Sequence, residues 1–150
     1  MIISYFNIRT HVDAVIEEIR HNLKPNQHII YNHKGETEVE LDSSLMKHII
    51  MNLVSNASKF SAEGSAIEIE TIRTEQQLIL GVKDNGIGIS KEDQHHLWER
   101  FFRGTNVANI QGTGLGLHII AKYAELMNGD VACNSELEKG TEFILTFNQK

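Results

Sequence analysis

One cysteine, one proline and one tryptophan occur in 150 residues, and each scarcity excludes something. Cys133 cannot close an internal disulfide, and in the apolar run Val131-Ala132-Cys133 it reads as a small core residue, not a reactive thiol. A reducing compartment follows. Pro25 stands just after a helical pattern, so no proline-rich linker divides the chain. An excess of positive charge is also missing. With 14 Lys and Arg against 20 Asp and Glu, the net charge is −6 and charged residues are spread along the chain, leaving no basic stripe for nucleic acid and no basic face for an anionic membrane. No apolar run approaches the ~18 residues of a membrane span. Met1 to Ile8 is too short for a signal peptide and lacks its basic start. Internal repeats and low-complexity tracts are absent. What is present is 41% hydrophobic residues, enough to bury one core of ordinary extent. The expectation is a single cytoplasmic domain over residues 1–150 that is monomeric in isolation.

Periodicity and punctuation divide the chain into elements. Thr10 with Asp13 resembles a capping box opening a helix through about Leu23, with Val12, Val15, Ile16 and Ile19 on its apolar face. His28 to Tyr31 and Thr37 to Leu41 read as a strand pair around Lys34-Gly35, and Asp42 or Ser43 caps a second helix to about Phe60. Ala66 to Ile72 and Gln77 to Lys83 are two more strands. Ser90 with Asp93 opens a short helix reaching Phe101, and the polar, glycine-flanked stretch from Arg103 to Thr113 is expected to be a mobile lid. A further helix runs from about Leu115 to a stop at Asn128-Gly129, followed by strands at Asp130 to Asn134 and Thr141 to Phe147. Mixed elements with several antiparallel neighbours predict an α+β fold. It would be a two-layer α/β sandwich, with about three helices on one face of a mixed, largely antiparallel sheet.

Three stretches carry candidate chemistry. On the second helix, Met46, Ile49, Ile50, Leu53, Val54 and Ala57 fall on one side at ~100° per residue, while Asn52, Asn56 and Lys59 form a row on a flanking side. That row serves equally well as solvated surface, but asparagine is a poor helix former and two of them four apart in mid-helix call for a reason. Asp84-Asn85-Gly86-Ile87-Gly88-Ile89 follows an apolar strand. Its glycines allow close approach of a ligand and its aspartate can accept from an amino group, although alone the motif is a common turn. Gly112-Thr113-Gly114-Leu115-Gly116-Leu117 leads into a helix and frees backbone N–H groups to point at an anion. Neither the dinucleotide fingerprint nor the Gly-Lys-Ser/Thr phosphate loop is present.

In combination these stretches resemble the sensor histidine kinase catalytic domain, of the GHKL family. Residues 52–60 are similar to its N box, DNGIGI to its first glycine box, Trp98 to Gly104 to its F box, and GTGLGL to its second glycine box. The resemblance runs on through Gly140-Thr141-Glu142-Phe143 and covers nearly the whole chain. It implies the Bergerat ATP-binding fold shared by gyrase, heat-shock chaperone, histidine kinase and mismatch-repair ATPases, with ATP and Mg²⁺ as cofactors.

The resemblance also implies roles. Asn56, assisted by Asn52, would ligate Mg²⁺ through a neutral amide oxygen; Lys59 would meet phosphate oxygens and Phe60 would pack near adenine. Asp84 would accept from the adenine amino group, where guanine presents a carbonyl. Gly86 and Gly88 would admit the base and ribose, and Thr141 would support the adenine end through water. The backbone from Gly112 through Thr113, Gly114 and Leu115 to Gly116 would hold the β- and γ-phosphates, with Arg103 neutralising charge. Arg100 serves as readily as a surface residue. Trp98, Phe101 and Phe102 read as packing under the lid, and His48 and His118 as core or surface residues. His95-His96 lacks zinc-ligand spacing.

No catalytic base or phosphoacceptor is expected within the chain, because neither His11 nor His21 stands in a His-Glu-x-x-x-Pro setting. The phosphoacceptor and dimerisation domain is therefore expected elsewhere, as the partner that receives phosphate before a downstream response regulator, in a parent that is cytoplasmic or membrane-anchored. Two other readings stand beside this one. The first is a GHKL ATPase or serine kinase, although such enzymes carry glutamate where this chain has Asn52. The second is a nucleotide-sensing docking module without kinase activity.

Overall fold

The structure, a computed structural model, describes residues 1–95 and 115–149, the side chains of 115 and 116 excepted. Its frame is the helix α2 (Ser43–Phe60). Asp42 caps the start, its Oδ1 accepting from Ser44 N at 2.9 Å and Leu45 N at 3.1 Å, while Oδ2 accepts from Ile2 N at 2.8 Å. Met46, Ile49, Ile50, Leu53, Val54 and Ala57 are buried, as the 3.6-residue period requires. The carbonyls at the far end are met by side chains from the loop after the preceding helix. Gln27 Nε2 donates to Ser58 O, Ser61 O and Ala62 O at 3.1, 3.3 and 3.1 Å, and Lys24 Nζ donates to Lys59 O and Ser61 O, both at 2.8 Å.

A five-stranded sheet lies beneath, in the order β2 (His28–Gly35), β4 (Ala66–Arg73), β5 (Gln77–Asp84), β7 (Gly140–Asn148), β6 (Gly129–Glu136). Only β2 and β4 run parallel; the other neighbours are antiparallel. Alternate residues Ile67, Ile69, Leu78, Leu80, Val82, Phe143, Leu145 and Phe147 point to one face and are buried. On that face α2 packs against β4 and β5, flanked by α1 (Ile8–Ile19) and α4 (Leu115–Leu126). The fold is therefore the expected α+β two-layer sandwich with a mixed, largely antiparallel sheet.

Three local readings are corrected. β2 does not pair with β3 (Glu38–Leu41). It runs beside β4 in parallel, and β3 pairs antiparallel with β1 (Ser4–Asn7), a strand the sequence did not suggest, in a separate two-stranded sheet. Gly35, which looked like a hairpin turn, is instead where β2 passes against the end of β4. At φ +88°, a Cβ there would lie 2.1 Å from Arg73 O. The first helix begins at Ile8, before Thr10, because Asn7 is its cap and accepts from Thr10 N at 3.0 Å; its end tightens into a 3-10 turn at Arg20–Asn22. Ser90 caps α3 (Lys91–Gln94) as expected, and its expected continuation to Phe101 lies outside the described residues.

Candidate functional site

Asp84 ends β5 and is 4% exposed. Its Oδ1 accepts from Gly86 N at 2.8 Å. Thr141 stands directly opposite in β7, so the two side chains share the helix-covered face. Burial pushes the Asp84 carboxyl above its ordinary range, outweighing the Gly86 N–H, the Thr141 N–H and the Ser61 hydroxyl, which pull it down. Ser61 Oγ is itself buried beside this carboxylate without a hydrogen bond of normal geometry among the described residues. A desolvated carboxylate next to an unsatisfied hydroxyl is matched to an external donor that also accepts, or to two donors.

The turn after Asp84 is held from both sides. Gly86 passes so close to the end of α2 that a Cβ would lie 2.1 Å from Phe60 O, and Ile87 N donates to that same carbonyl at 3.2 Å. Gly88, at φ +73°, passes equally close to Glu136 O, while Glu138 N donates to Ile87 O at 2.7 Å. Ser135 joins the next residues: Ile89 N donates to its Oγ at 2.7 Å, that Oγ lies 2.9 Å from Gly140 O and 2.8 Å from Thr141 Oγ1. Gln94 Nε2 donates to Ile89 O at 2.8 Å and Ser135 O at 3.1 Å. Phe60, Asp84, Gly86, Gly88 and Thr141 are thereby brought into one rigid corner where α2, β5 and β7 meet.

Asn52 and Asn56 are half-buried on α2, Lys59 is exposed, and Asn56 and Phe60 lie one turn apart on one side. Asn52 and Lys59 line a groove of 260 Å³ on the α1 side of α2, with Asn22, Leu23, Met51 and Ser55 among its walls. His48 contacts the Tyr123 ring at 6.2 Å between centroids, and His118 is half-buried on α4. Arg103, Gly112, Thr113 and Gly114 lie outside the described residues, as do Arg100, Trp98, Phe101, Phe102 and the expected lid; Leu115 and Gly116 open α4. Cys133 is half-buried and its thiol is pushed up to about 12 by burial and then by the Asp84 charge, which makes it an inert residue of the wall. Sequence reasoning missed Ser61, Ser135 and Gln27. Ser135 had one visible signal: it continues the inward parity of Val131 and Cys133, where a hydroxyl is out of place without a partner.

The sequence and the fold that carry this corner are similar to known proteins. Residues 41–150 match the family described as histidine kinase-, DNA gyrase B-, and HSP90-like ATPase. The chain belongs to that ATPase family. Sensor histidine kinase YvrG of Bacillus subtilis is 35% identical over 139 residues, 91% of this chain and 24% of YvrG, and histidine protein kinase DivJ of Caulobacter vibrioides is 37% identical over 108 residues, 71% of this chain and 18% of DivJ. The chain thus spans about a quarter or less of the curated relatives it matches. Among solved structures, the nucleotide-free catalytic domain of histidine kinase ThkA superposes with TM-score 0.82 at 26% identity, covering 99% of this chain and 97% of that one. Mycobacterial sensor histidine kinase MprB shares the fold, with TM-score 0.84 at 21% identity over 99% of both chains.

Proposed function

We propose that residues 1–150 form a catalytic ATP-binding domain that holds Mg-ATP and presents its γ-phosphate to a histidine on a separate dimerisation and phosphoacceptor domain, which then passes it to a response regulator. One observation carries this reading: Asp84, a buried carboxylate with its pKa raised, sits where Phe60 O, Gly86 and Thr141 converge. A carboxylate oxygen has lone pairs to accept a further bond from the adenine amino group, and guanine's carbonyl opposes it. Gly86 and Gly88 let the turn after Asp84 pack directly against Phe60 O and Glu136 O, where a Cβ would clash, and this close packing fixes the carboxylate at the corner. Phe60 offers an apolar wall.

The magnesium ion, when bound, neutralises charge on the phosphates. Asn56, half-buried on α2, would hold it through an amide oxygen, and Asn52 one turn earlier would support it. Lys59, the Leu115 and Gly116 N–H groups at the start of α4 and, outside the described residues, Arg103 and the 112–114 backbone would supply positive potential for the phosphates. The domain contributes alignment and charge neutralisation, and the general base comes with the acceptor. Asn52 bears on the ATPase alternative, since an amide cannot take a proton from an attacking water. Its relatives named as sensor histidine kinases support the same choice.

The test combines two assays on the purified chain. Phosphate release under saturating Mg-ATP is expected to be slow, while addition of a matching phosphoacceptor domain is expected to yield acid-labile label on that partner. Sustained release at the ~1–10³ s⁻¹ of ordinary enzymes, without transfer, would replace the kinase by an ATPase.

A further inference from the structure

Among the described residues, three atoms make hydrogen bonds with Ser135 Oγ, and a serine hydroxyl has a single proton. Ile89 N, at 2.7 Å, can only donate to it; Gly140 O, at 2.9 Å, can only accept from it; Thr141 Oγ1, at 2.8 Å, can do either. One arrangement satisfies all three contacts. Ser135 gives its proton to Gly140 O and accepts from both Ile89 N and the Thr141 hydroxyl. Thr141 has then spent its only proton on Ser135, and its Oγ1 faces anything else as an acceptor alone.

We propose that Ser135 is a specificity-determining positioning residue, which by taking the Thr141 proton leaves Thr141 Oγ1 an acceptor alone beside Asp84 and so tunes this pair to a 6-amino purine. The inference rests on the reading of Asp84 and Thr141 as the adenine end. Thr141 is the direct neighbour of Asp84 on the adjacent strand, with its side chain on the same face of the sheet. A carboxylate and a proton-spent hydroxyl side by side both oppose a 6-oxo purine. The effect is carried by direct contact of the base with Thr141 Oγ1, because a bridging water that donates to Thr141 keeps a second proton as well as its lone pairs. Without Ser135 the Thr141 proton is released to rotate outward, where it donates to a carbonyl as readily as the oxygen accepts from an amine. Ser135 touches no nucleotide in this scheme and acts through Thr141.

The test is calorimetric titration of the full chain with Mg-ATP and Mg-ITP, which differ at the 6-position without the 2-amino group of guanine. Wild type is expected to prefer ATP, and Ser135→Ala to lower the ATP-to-ITP affinity ratio by about tenfold, a difference of about 1.4 kcal/mol. Ser135→Thr, which keeps the hydroxyl, is expected to keep the ratio. If Ser135→Ala weakens both nucleotides equally, its role is purely structural and the proposal is overturned. Should that variant fail to fold, Thr141→Val must lower the ratio while Thr141→Ser preserves it; a ratio unmoved by Thr141→Val overturns the proposal as well. A wild type that binds ATP and ITP equally would instead sink the adenine reading of Asp84, and one that binds neither would sink the nucleotide function, so each failure points to its own cause.

Discussion

Replacing Asp84 by asparagine separates what this carboxylate does for a ligand from what it does to the fold. The substitution keeps the shape and one oxygen, so Gly86 N, now 2.8 Å from Oδ1, retains its acceptor. The second oxygen becomes an N–H₂ that confronts the amino group of the base. Loss of a charge-assisted bond is worth about 1.5–3 kcal/mol, and opposing two buried donors adds about 1–3 kcal/mol. Together, about 3–5 kcal/mol corresponds to a loss of affinity from a hundredfold to several thousandfold, at about 1.4 kcal/mol per decade. The effect on stability runs the other way. Burial raises the folded pKa of Asp84 above the unfolded value near 3.8, so the folded state holds the proton more tightly. The contribution of Asp84 to stability is most favourable below 3.8 and is lost as pH rises through the folded pKa. At neutral pH its charge is a burden that Asp84→Asn removes. The expectation is weak Mg-ATP binding by calorimetry together with an unchanged or raised Tm without nucleotide, a trade of stability for function. Binding within tenfold of wild type would refute the assignment, and a Tm lowered by several degrees would refute the electrostatic argument.

Two further outcomes bear on the frame around the site. Gln27→Ala takes one of two or more donors from Ser58 O, Ser61 O and Ala62 O, which keep Ser61 N, Lys24 Nζ and Ser65, and leaves without an acceptor the Ser58 hydroxyl and Lys24 N, which donate to Gln27 Oε1 at 2.5 and 3.0 Å; at about 1–3 kcal/mol per unsatisfied buried group, a loss of about 2–3 kcal/mol is expected as a lower urea midpoint at unchanged m, and a shift below about 1 kcal/mol would show that the remaining donors cap α2 without Gln27. His11 is held below its ordinary pKa by burial and by Lys47, against the Ser43 carbonyl that its Nε2 meets at 2.8 Å. Its contribution is therefore complete above 6.5 and lost as pH falls through the folded pKa. The stability advantage of wild type over His11→Gln should shrink as pH drops below 6.5, and urea midpoints that fall in parallel would contradict this.

The parts of the fold that could be read in advance were those with a strong period and clear ends. Helix α2 has both, from its Asp42 cap to Phe60, and β4 and β5 alternate cleanly about a polar link. β1 escaped because Ser-Tyr-Phe-Asn is too short to show a period, and its partner β3 was assigned to β2 for want of it. Pairing is a tertiary fact: Lys34-Gly35 has hairpin chemistry, yet the buried parity of Ile29 and Tyr31 is satisfied only beside β4. In the site, Asp84, Gly86, Gly88 and Thr141 stood in motifs and could be found. Ser61, Gln27 and Ser135 stood in none, since a single polar residue announces nothing until the groups around it are known to be buried and in need of a partner.

The place of β7 in the sheet bears on how the molecule comes into being. It follows β5 and β6 in the chain but lies between them, with Leu80 against Leu145 and Cys133 against Phe143. Until that segment has emerged from the ribosome, β5 presents an open edge and β6 has no neighbour in the sheet. Such pairing over long sequence separations is slow to form, and the waiting edge of β5 is apolar on one face and open to rival strands. Asp84 meanwhile lacks Thr141 opposite it and the close passage of Gly140 against its carbonyl. Nascent chains halted before Gly140 should therefore be ready clients for chaperones and blind to nucleotide, and ligand-binding competence should arrive late and all at once, with the strand that closes the sheet.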